Sequence, residues 1–505
     1  MKVISDTMLA TKESIQRCPR LIRTSYFRFT LYCVVFAYFG ASTCYSQGVS
    51  AQGISSEDGL AAAIVGLKVG YFDVDATPPI GSQLAYSPTR SVVETLRCRG
   101  IVLLGSDRPI VLCAVDWLGI GNESNLVFRD RLATAAGTDS QHVAVHTLHQ
   151  HDAPWCDFSA DTLAREHGAS GIIFDSGFAR VVLERAEQAV RTAVANAQSV
   201  THVAFGQGRV EKVASNRRIL GPDGRVQAVR WTATKDPAVR AEPEGVIDPW
   251  VRSVSFFRGD ERLVVLTYYA THPQSYYGKG DVNPDFPGMA RNARQNATGV
   301  PHVHFCGAGG NVGAGKYNDG SPENRPVLAQ RLEEGMRLAY ESEKRLPISI
   351  GDVSWRTTDV LMPVTERLQL TEVEKIVRDP SRTLKERIYA ATQEIWMRRC
   401  EAKDPVTLQC LKLGASRILH MPGELFVEYQ LAANQMCPDA FVAVAAYGDY
   451  APNYIGTSIS YQQGGYETEV RSTLVAPGVE TVLIEAMQHV LDVEKKPWPS
   501  LGALK

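Results

Sequence analysis

Short apolar stretches with the length of β-strands alternate with amphipathic helical stretches from Val69 onward. Residues 97–120 predict two strands joined by a polar turn, and residues 141–147 predict a further strand. The strongest helical pattern covers residues 175–197, where Val181 is one of the apolar residues expected on the buried face. This alternation predicts the α/β class, with mixed β-sheets in two layers flanked by helices.

One large domain is predicted over residues 66–495, although a chain of 505 residues is long enough for several. The alternating pattern continues without an internal repeat or a low-complexity linker, and it predicts helices over residues 325–345, 371–399 and 479–493. Residues 235–248 are rich in Pro, Glu and Asp, and they predict a loop rather than a domain boundary.

The first fifty residues have a different composition from the rest of the chain. Basic residues precede an apolar run at residues 29–41, and small residues follow it. This order is typical of an export signal, and the apolar run is too short for a comfortable membrane span. We therefore expect residues 1–51 to be a cleaved leader and the mature protein to be exported. An uncleaved membrane anchor is the alternative.

Charge and cysteine content argue against three classes of protein. The formal net charge is −2, so nothing favours a nucleic-acid partner. Seven cysteines follow the leader, without a C-x-x-C pair, which argues against a disulfide framework and against a zinc knuckle. Cys400 and Cys410 are close enough in sequence to form a bridge in an oxidising compartment.

Three of the eleven histidines lie within six residues, directly after a predicted strand. His149 and His151 are two residues apart, which places them on the same side of an extended segment. They can share a metal ion or divide the roles of ligand and proton carrier. The alternative is a hydrogen-bonded pair of loop histidines. His146 faces the opposite side, and we expect it to be structural.

Four other polar segments follow predicted strands. His272 ends a strand and is either a third ligand or structural, while Glu424 begins a helix, where a carboxylate is favourable in any case. The glycine-rich residues 307–320 lack the P-loop pattern, so they permit close approach to a substrate or form a tight turn. The tyrosine-rich residues 447–469 line a pocket or cover a sheet edge. Two histidines, a carboxylate and an open pocket together suit a catalytic zinc site.

This ordered set of motifs resembles the catalytic domain of the neutral/alkaline, non-lysosomal ceramidases, over about residues 66–490. In chain order, the motifs are VGYFDVDATPPIG at residues 69–81, HQHDAP at 149–154, NRRI at 216–219, His272, PGE at 422–424 and NYIGTSISYQQGGYE at 453–467. Each motif is modest alone, and their common order makes the resemblance specific.

The resemblance implies one zinc ion per chain and a role for each matching residue. Its ligands would be His149, His272, Glu424 and Tyr454. Tyrosine is not among the usual zinc ligands, so Tyr454 rests on the resemblance alone. His151 would handle protons or the developing oxyanion.

The remaining implied roles concern the substrate. Arg217 and Tyr466 would hydrogen-bond it, and Gly313 would lie beside it. The substrate would be an N-acyl amide, either a small molecule or a ceramide-like lipid, and a lipid substrate would bring the protein to a membrane surface.

Three departures from the family pattern put ceramide specificity in question. Gly313 occupies the position of a family serine, and Asp152 replaces the serine that follows the histidine pair, which adds a negative charge near the expected metal. The C-terminal β-sandwich-like domain of the full-length enzymes is not expected here. The alternatives are a hydrolase with the same site and another acylated amine or ester as substrate, and a non-catalytic lipid- or glycan-binding relative.

Overall fold

The computed structural model describes residues 66–503, so the expected leader lies outside the described residues. The first sheet has five strands, in the spatial order Val143–Thr147, Ile110–Val115, Arg97–Leu104, Lys68–Asp75 and Gln198–Ser199. Only Ile110–Val115 and Val143–Thr147 pair in parallel. All their residues are buried, as expected for strands covered on both faces.

Two more sheets follow along the chain. The second has the order His302–Cys306, Glu261–Tyr269, Trp250–Arg258, His202–Arg209 and Lys344–Pro347. The third has the order Val353–Val360, Val406–Leu413, Ser416–His420 and Val442–Ala445. As in the first sheet, each has one parallel pair, and that pair lies at an edge.

The parallel edges of the three sheets meet. The Thr147 amide donates to the Tyr447 carbonyl at 3.0 Å, and the Ala446 amide donates to the Cys306 carbonyl at 2.9 Å. Parallel neighbours send their carboxyl ends to the same side of a sheet. The loops that follow these strands are therefore brought to one place, and they carry the polar segments singled out in the sequence.

Short two-stranded ladders fix the loops at that place. Glu424 pairs directly with Tyr454, and Ser215 pairs with Gly313, which also forms a bridge with His272. The five ladders are Ser91–Val92 with Asp281–Val282, Gly119–Ile120 with Trp155–Cys156, Ser215–Asn216 with Val312–Gly313, Arg218–Leu220 with Val226–Val229, and Glu424–Leu425 with Tyr454–Ile455.

Helices cover the sheets. Within the described residues they are Glu123–Ala136, Phe158–Glu166, Ser176–Ala195, Pro237–Ala241, Asp285–Thr298, Asn324–Glu341, Leu370–Arg378, Leu384–Glu401, Val427–Met436, Ser458–Gln463 and Val479–Leu491. None of them is both long and apolar enough to cross a membrane.

The structure corrects several details of the predicted elements. The helix expected over residues 371–399 is two helices, because Pro380 cannot continue the first and Thr383 caps the second. Val181 is exposed, not buried. The predicted loop at residues 235–248 contains the short helix Pro237–Ala241.

A single large core connects the three sheets. It includes Leu112 of the first sheet, Leu266 of the second and Ile418 of the third. The cysteines of the described residues are all free, so the suggested bridge between Cys400 and Cys410 is absent. The α/β class with mixed sheets is confirmed, and its strands form three larger sheets instead of the two expected.

Candidate metal centre

Three buried histidines converge where the sheet edges meet. The Nε2 atom of His272 lies 3.2 Å from Nε2 of His149 and 3.1 Å from Nε2 of His151. The candidate ligand atoms of all three lie within 4.8 Å of one another. Two nitrogens that bind one tetrahedral zinc at about 2.0–2.1 Å are roughly 3.4 Å apart. The spacing of the cluster therefore suits a shared metal ion.

The second ring nitrogen distinguishes His149 from His151. Nδ1 of His149 lies 2.8 Å from the Leu118 carbonyl, which can only accept, so this nitrogen carries the proton and Nε2 is free to bind a metal. Nδ1 of His151 instead accepts from the Gln274 amide at 3.0 Å. The neutral His151 ring then carries its proton on Nε2, which faces the cluster.

Glu424 approaches the cluster from the side of His149. Its Oε2 atom lies 3.3 Å from Nε2 of His149 and 3.8 Å from Nδ1 of His272. Its Oε1 atom accepts from the Tyr450 hydroxyl at 2.8 Å, and Oε2 has no hydrogen-bond partner among the described residues. Burial opposes ionisation, but His149 and the tyrosine hydroxyls hold the pKa of Glu424 below its ordinary value.

The Tyr454 hydroxyl receives two hydrogen bonds. Nη1 of Arg217 donates to it at 3.2 Å, and the Tyr466 hydroxyl also donates to it. The Arg217 guanidinium also lies 5.1 Å from the centre of the Tyr466 ring. Its Nε atom is 3.8 Å from Oε1 of Glu467, a fully buried carboxylate.

Electrostatics keep two of the three histidines neutral. Burial, followed by the neighbouring His149 and the positive charge of Arg217, lowers the pKa of His151 and of His272 well below the ordinary value. Neutral imidazole is the form that binds metal ions. His272 therefore offers a lone pair at neutral pH without competition from protons.

No protein-family model matches this chain, and no curated protein matches its sequence. Solved structures do match. The structure of neutral ceramidase from Pseudomonas aeruginosa superposes with a TM-score of 0.62 and 17% identity, over 87% of this chain and 77% of that chain. The chain has the neutral ceramidase fold. A second structure, of a ceramidase complexed with C2, superposes with a TM-score of 0.61 and 16% identity, over 87% of this chain and 78% of that one.

On this ceramidase fold, all seven residues implied by the resemblance as ligands, proton carriers or substrate contacts lie in one region of the structure. Gly313 is adjacent: a Cβ added there would lie 3.6 Å from Cβ of His272, so the position has room for a side chain. Gly313 and Arg217 are both buried, and neither lines a cavity that opens beside the cluster.

Asp152 and His146 are engaged away from the cluster. Oδ1 of Asp152 accepts from the amides of Gly278 and Lys279, at 2.8 and 3.3 Å, so this carboxylate anchors the loop that follows His272. His146 forms hydrogen bonds with the Ala446 carbonyl at 2.8 Å and with Nδ1 of His420 at 2.9 Å.

A cavity of about 920 Å³ opens in front of the cluster, and several of the nearby residues were not identified from sequence. The Tyr86 ring stacks on His151, and the Tyr447 ring stacks on His149. Tyr447 and Tyr450 belong to the tyrosine-rich segment already singled out, and Gln274 is two residues after His272. Nothing in the sequence indicated Tyr86, because it lies in a separate loop near the start of the domain.

Proposed function

We propose that the protein is a zinc-dependent hydrolase that cleaves an N-acyl amide, with ceramide-like lipids as the reference substrate class. The observation that supports this most is the convergence of His149, His272 and Glu424 beside an open cavity. The fold supports it as well, because the two solved structures named above carry the name ceramidase.

Four side chains would hold the zinc: His149, His272, Glu424 and Tyr454. When bound, the metal would supply a Lewis acid for the amide carbonyl and lower the pKa of a water molecule to about 7. The Leu118 carbonyl fixes the ring of His149 in the tautomer that leaves Nε2 free, and Tyr450 fixes the carboxylate of Glu424.

His151 would stabilise the negative charge that develops on the carbonyl oxygen. Its Nε2–H points into the cluster, where it can donate to the carbonyl oxygen as negative charge develops. Both protons of the attacking water end on the leaving amine, so that hydrolysis releases a carboxylate and an ammonium ion. Arg217 and Tyr466 would keep the Tyr454 hydroxyl in place through the hydrogen bonds already described.

The first test is metal content. We expect about one zinc per chain in the wild type, and we expect His149→Ala and His272→Ala each to remove the zinc and the hydrolysis of N-acyl sphingosine. The control is His489→Ala, which changes an exposed histidine outside the site. Elemental analysis and an amidase assay measure both quantities. A full zinc content in both cluster variants would refute the assignment.

A second candidate is the same chemistry on a smaller acylated amine or an ester. The cavity favours it, because Ala85 and Leu118 are its only aliphatic lining residues and the remainder are aromatic or polar. Ten of the nineteen lining residues are polar or charged, whereas sites that bury a large apolar ligand are lined mainly by hydrophobic and aromatic side chains. Rates with N-acyl sphingosine, short N-acyl amides and matched esters would separate the candidates. A zinc-loaded protein that cleaves none of them would instead indicate a binding protein.

A further inference from the structure

The mouth of the cavity carries a positive charge without a counter-ion. Lys385 lines the cavity from the first turn of the helix Leu384–Glu401. Its ammonium lies 6.0 Å from the centre of the Tyr86 ring and 5.8 Å from that of Tyr389. Among residues 66–503, no carboxylate oxygen lies within 4.0 Å of it.

The other charged groups of the cavity wall are already paired. Glu386 accepts from the Thr383 amide and hydroxyl, both at 2.9 Å, and these bonds lower the pKa of Glu386. Arg471 is paired with Glu469 at 2.6 Å. Glu424 belongs to the metal cluster. The positive end of the helix dipole lies beside Lys385 and adds to the attraction for an anion.

One aromatic ring separates this ammonium from the reaction centre. Tyr86 stacks on His151 with ring centres 5.2 Å apart and planes 5° from parallel. The same Tyr86 ring lies beneath the Lys385 ammonium. A group bound by Lys385 and an amide bound at His151 are thus close enough to belong to one small molecule.

We propose that the substrate is an N-acyl amine that carries an anionic group, such as a carboxylate, a few bonds from the scissile amide, and that Lys385 selects it. This inference rests on the proposed amidase function. An N-acyl amino acid has this arrangement, since its carboxylate is one carbon from the amide nitrogen. Hydrolysis breaks the amide C–N bond, forms a C–O bond from water, and releases the acyl group as a carboxylate and the amino acid as an ammonium ion that carries both protons of the water.

The test uses two water-soluble substrates of equal chain length, N-octanoylglycine and N-octanoylethanolamine, which differ in a carboxylate and a hydroxymethyl group. Calorimetry measures binding to the zinc-loaded protein, and steady-state rates give KM and kcat. We expect tighter binding and a lower KM for N-octanoylglycine. We expect Lys385→Gln to raise the dissociation constant and the KM about two- to fivefold for N-octanoylglycine alone, with kcat unchanged.

Two variants serve as controls. Lys385→Arg keeps the charge and should retain the preference, while Lys344→Gln removes an exposed lysine outside the cavity and should change nothing. Added salt should weaken the preference of the wild type, because exposed charges are screened.

Three outcomes would overturn the inference: equal binding of the two substrates, a Lys385→Gln effect on both, or a Lys385→Gln variant that loses only its binding to vesicles of anionic phospholipid. The last result would make Lys385 a membrane contact. If both amides bind but neither is cleaved, the proposed function fails, while the binding comparison still decides the role of Lys385.

Discussion

At the scale of single residues, two side chains of the same type have different roles in this site. His149 and His151 are two positions apart in one loop, and both rings reach the same cluster. Their Nδ1 partners differ, since one is a backbone carbonyl and the other an amide side chain. Both partners come from other segments of the chain. Local sequence therefore indicated the pair but left its division into ligand and proton carrier open.

Tyr450 provides a residue-scale prediction. Its hydroxyl holds Oε1 of Glu424, which leaves Oε2 facing His149. We expect Tyr450→Phe to weaken zinc affinity by about 10- to 100-fold, the range found when partners of metal ligands are removed. Competition with a chelator measures the affinity. Tyr461→Phe, whose hydroxyl bonds to Val475 and Thr473, is the matched control and should bind zinc like the wild type. Equal affinity in the Tyr450 variant would contradict the prediction.

At the scale of elements, the sequence predicted the strands and helices well where the apolar pattern was strong. The strand pair in residues 97–120 and the helix Ser176–Ala195 are examples. The region 371–399 was predicted as one helix, and the break between its two helices depends on only a few residues. Cap chemistry at Thr383 was present in the sequence, and it outweighs periodicity at that point.

The same cap supplies an element-scale prediction. Thr383 and Glu386 form a capping box, and both residues line the cavity. We expect Thr383→Ala to reduce the free energy of unfolding by about 1 kcal/mol, because amide donors of the first turn lose their partner. It should also raise KM, since the cavity wall begins at this cap. Thermal melts and kinetics measure the two effects, and Thr383→Ser, which keeps the hydroxyl, should restore both. A Tm and KM equal to those of the wild type in Thr383→Ala would count against the cap.

At the scale of the whole molecule, the pairing of the sheets could not be predicted from one sequence. The polar loops were expected to cluster because they follow strands, and they do. Which strand lies beside which depends on contacts between segments hundreds of residues apart, and no local pattern encodes these contacts. Tyr86 shows the same limit, since it reaches the site from a distant part of the chain.

Buried histidines outside the cluster predict how stability depends on pH. Burial lowers the pKa of His146 to about 4 and those of His302 and His304 to about 3. The unfolded value is about 6.5, so the unfolded state binds more protons between these limits. The contribution of these neutral histidines to the free energy of unfolding is therefore fully present above pH 6.5 and is lost as pH falls towards 4. For His146 this loss reaches roughly 3 kcal/mol.

Thermal melts in the presence of a chelator measure this pH dependence without a contribution from bound metal. We expect the Tm of the wild type to fall steeply from pH 6.5 to 4. We expect the Tm of His304→Gln to fall less steeply over the same interval. Parallel curves for the variant and the wild type would show that His304 does not contribute.

The position of the site where the three sheet edges meet also has a consequence for how the protein folds. The histidine cluster and its partner side chains extend from His149 to Tyr466. The contacts of His272 with His149 and His151 join segments more than a hundred residues apart, so the site as a whole cannot form by closure of one short loop. Such long-range contacts arise late and slowly during folding. A metal ion that binds only the completed site stabilises the native state by mass action and leaves partly folded chains unaffected. Bound metal would thus indicate that the whole domain has folded. A chain truncated before Tyr466 would be inactive even though it retains all three histidines of the cluster.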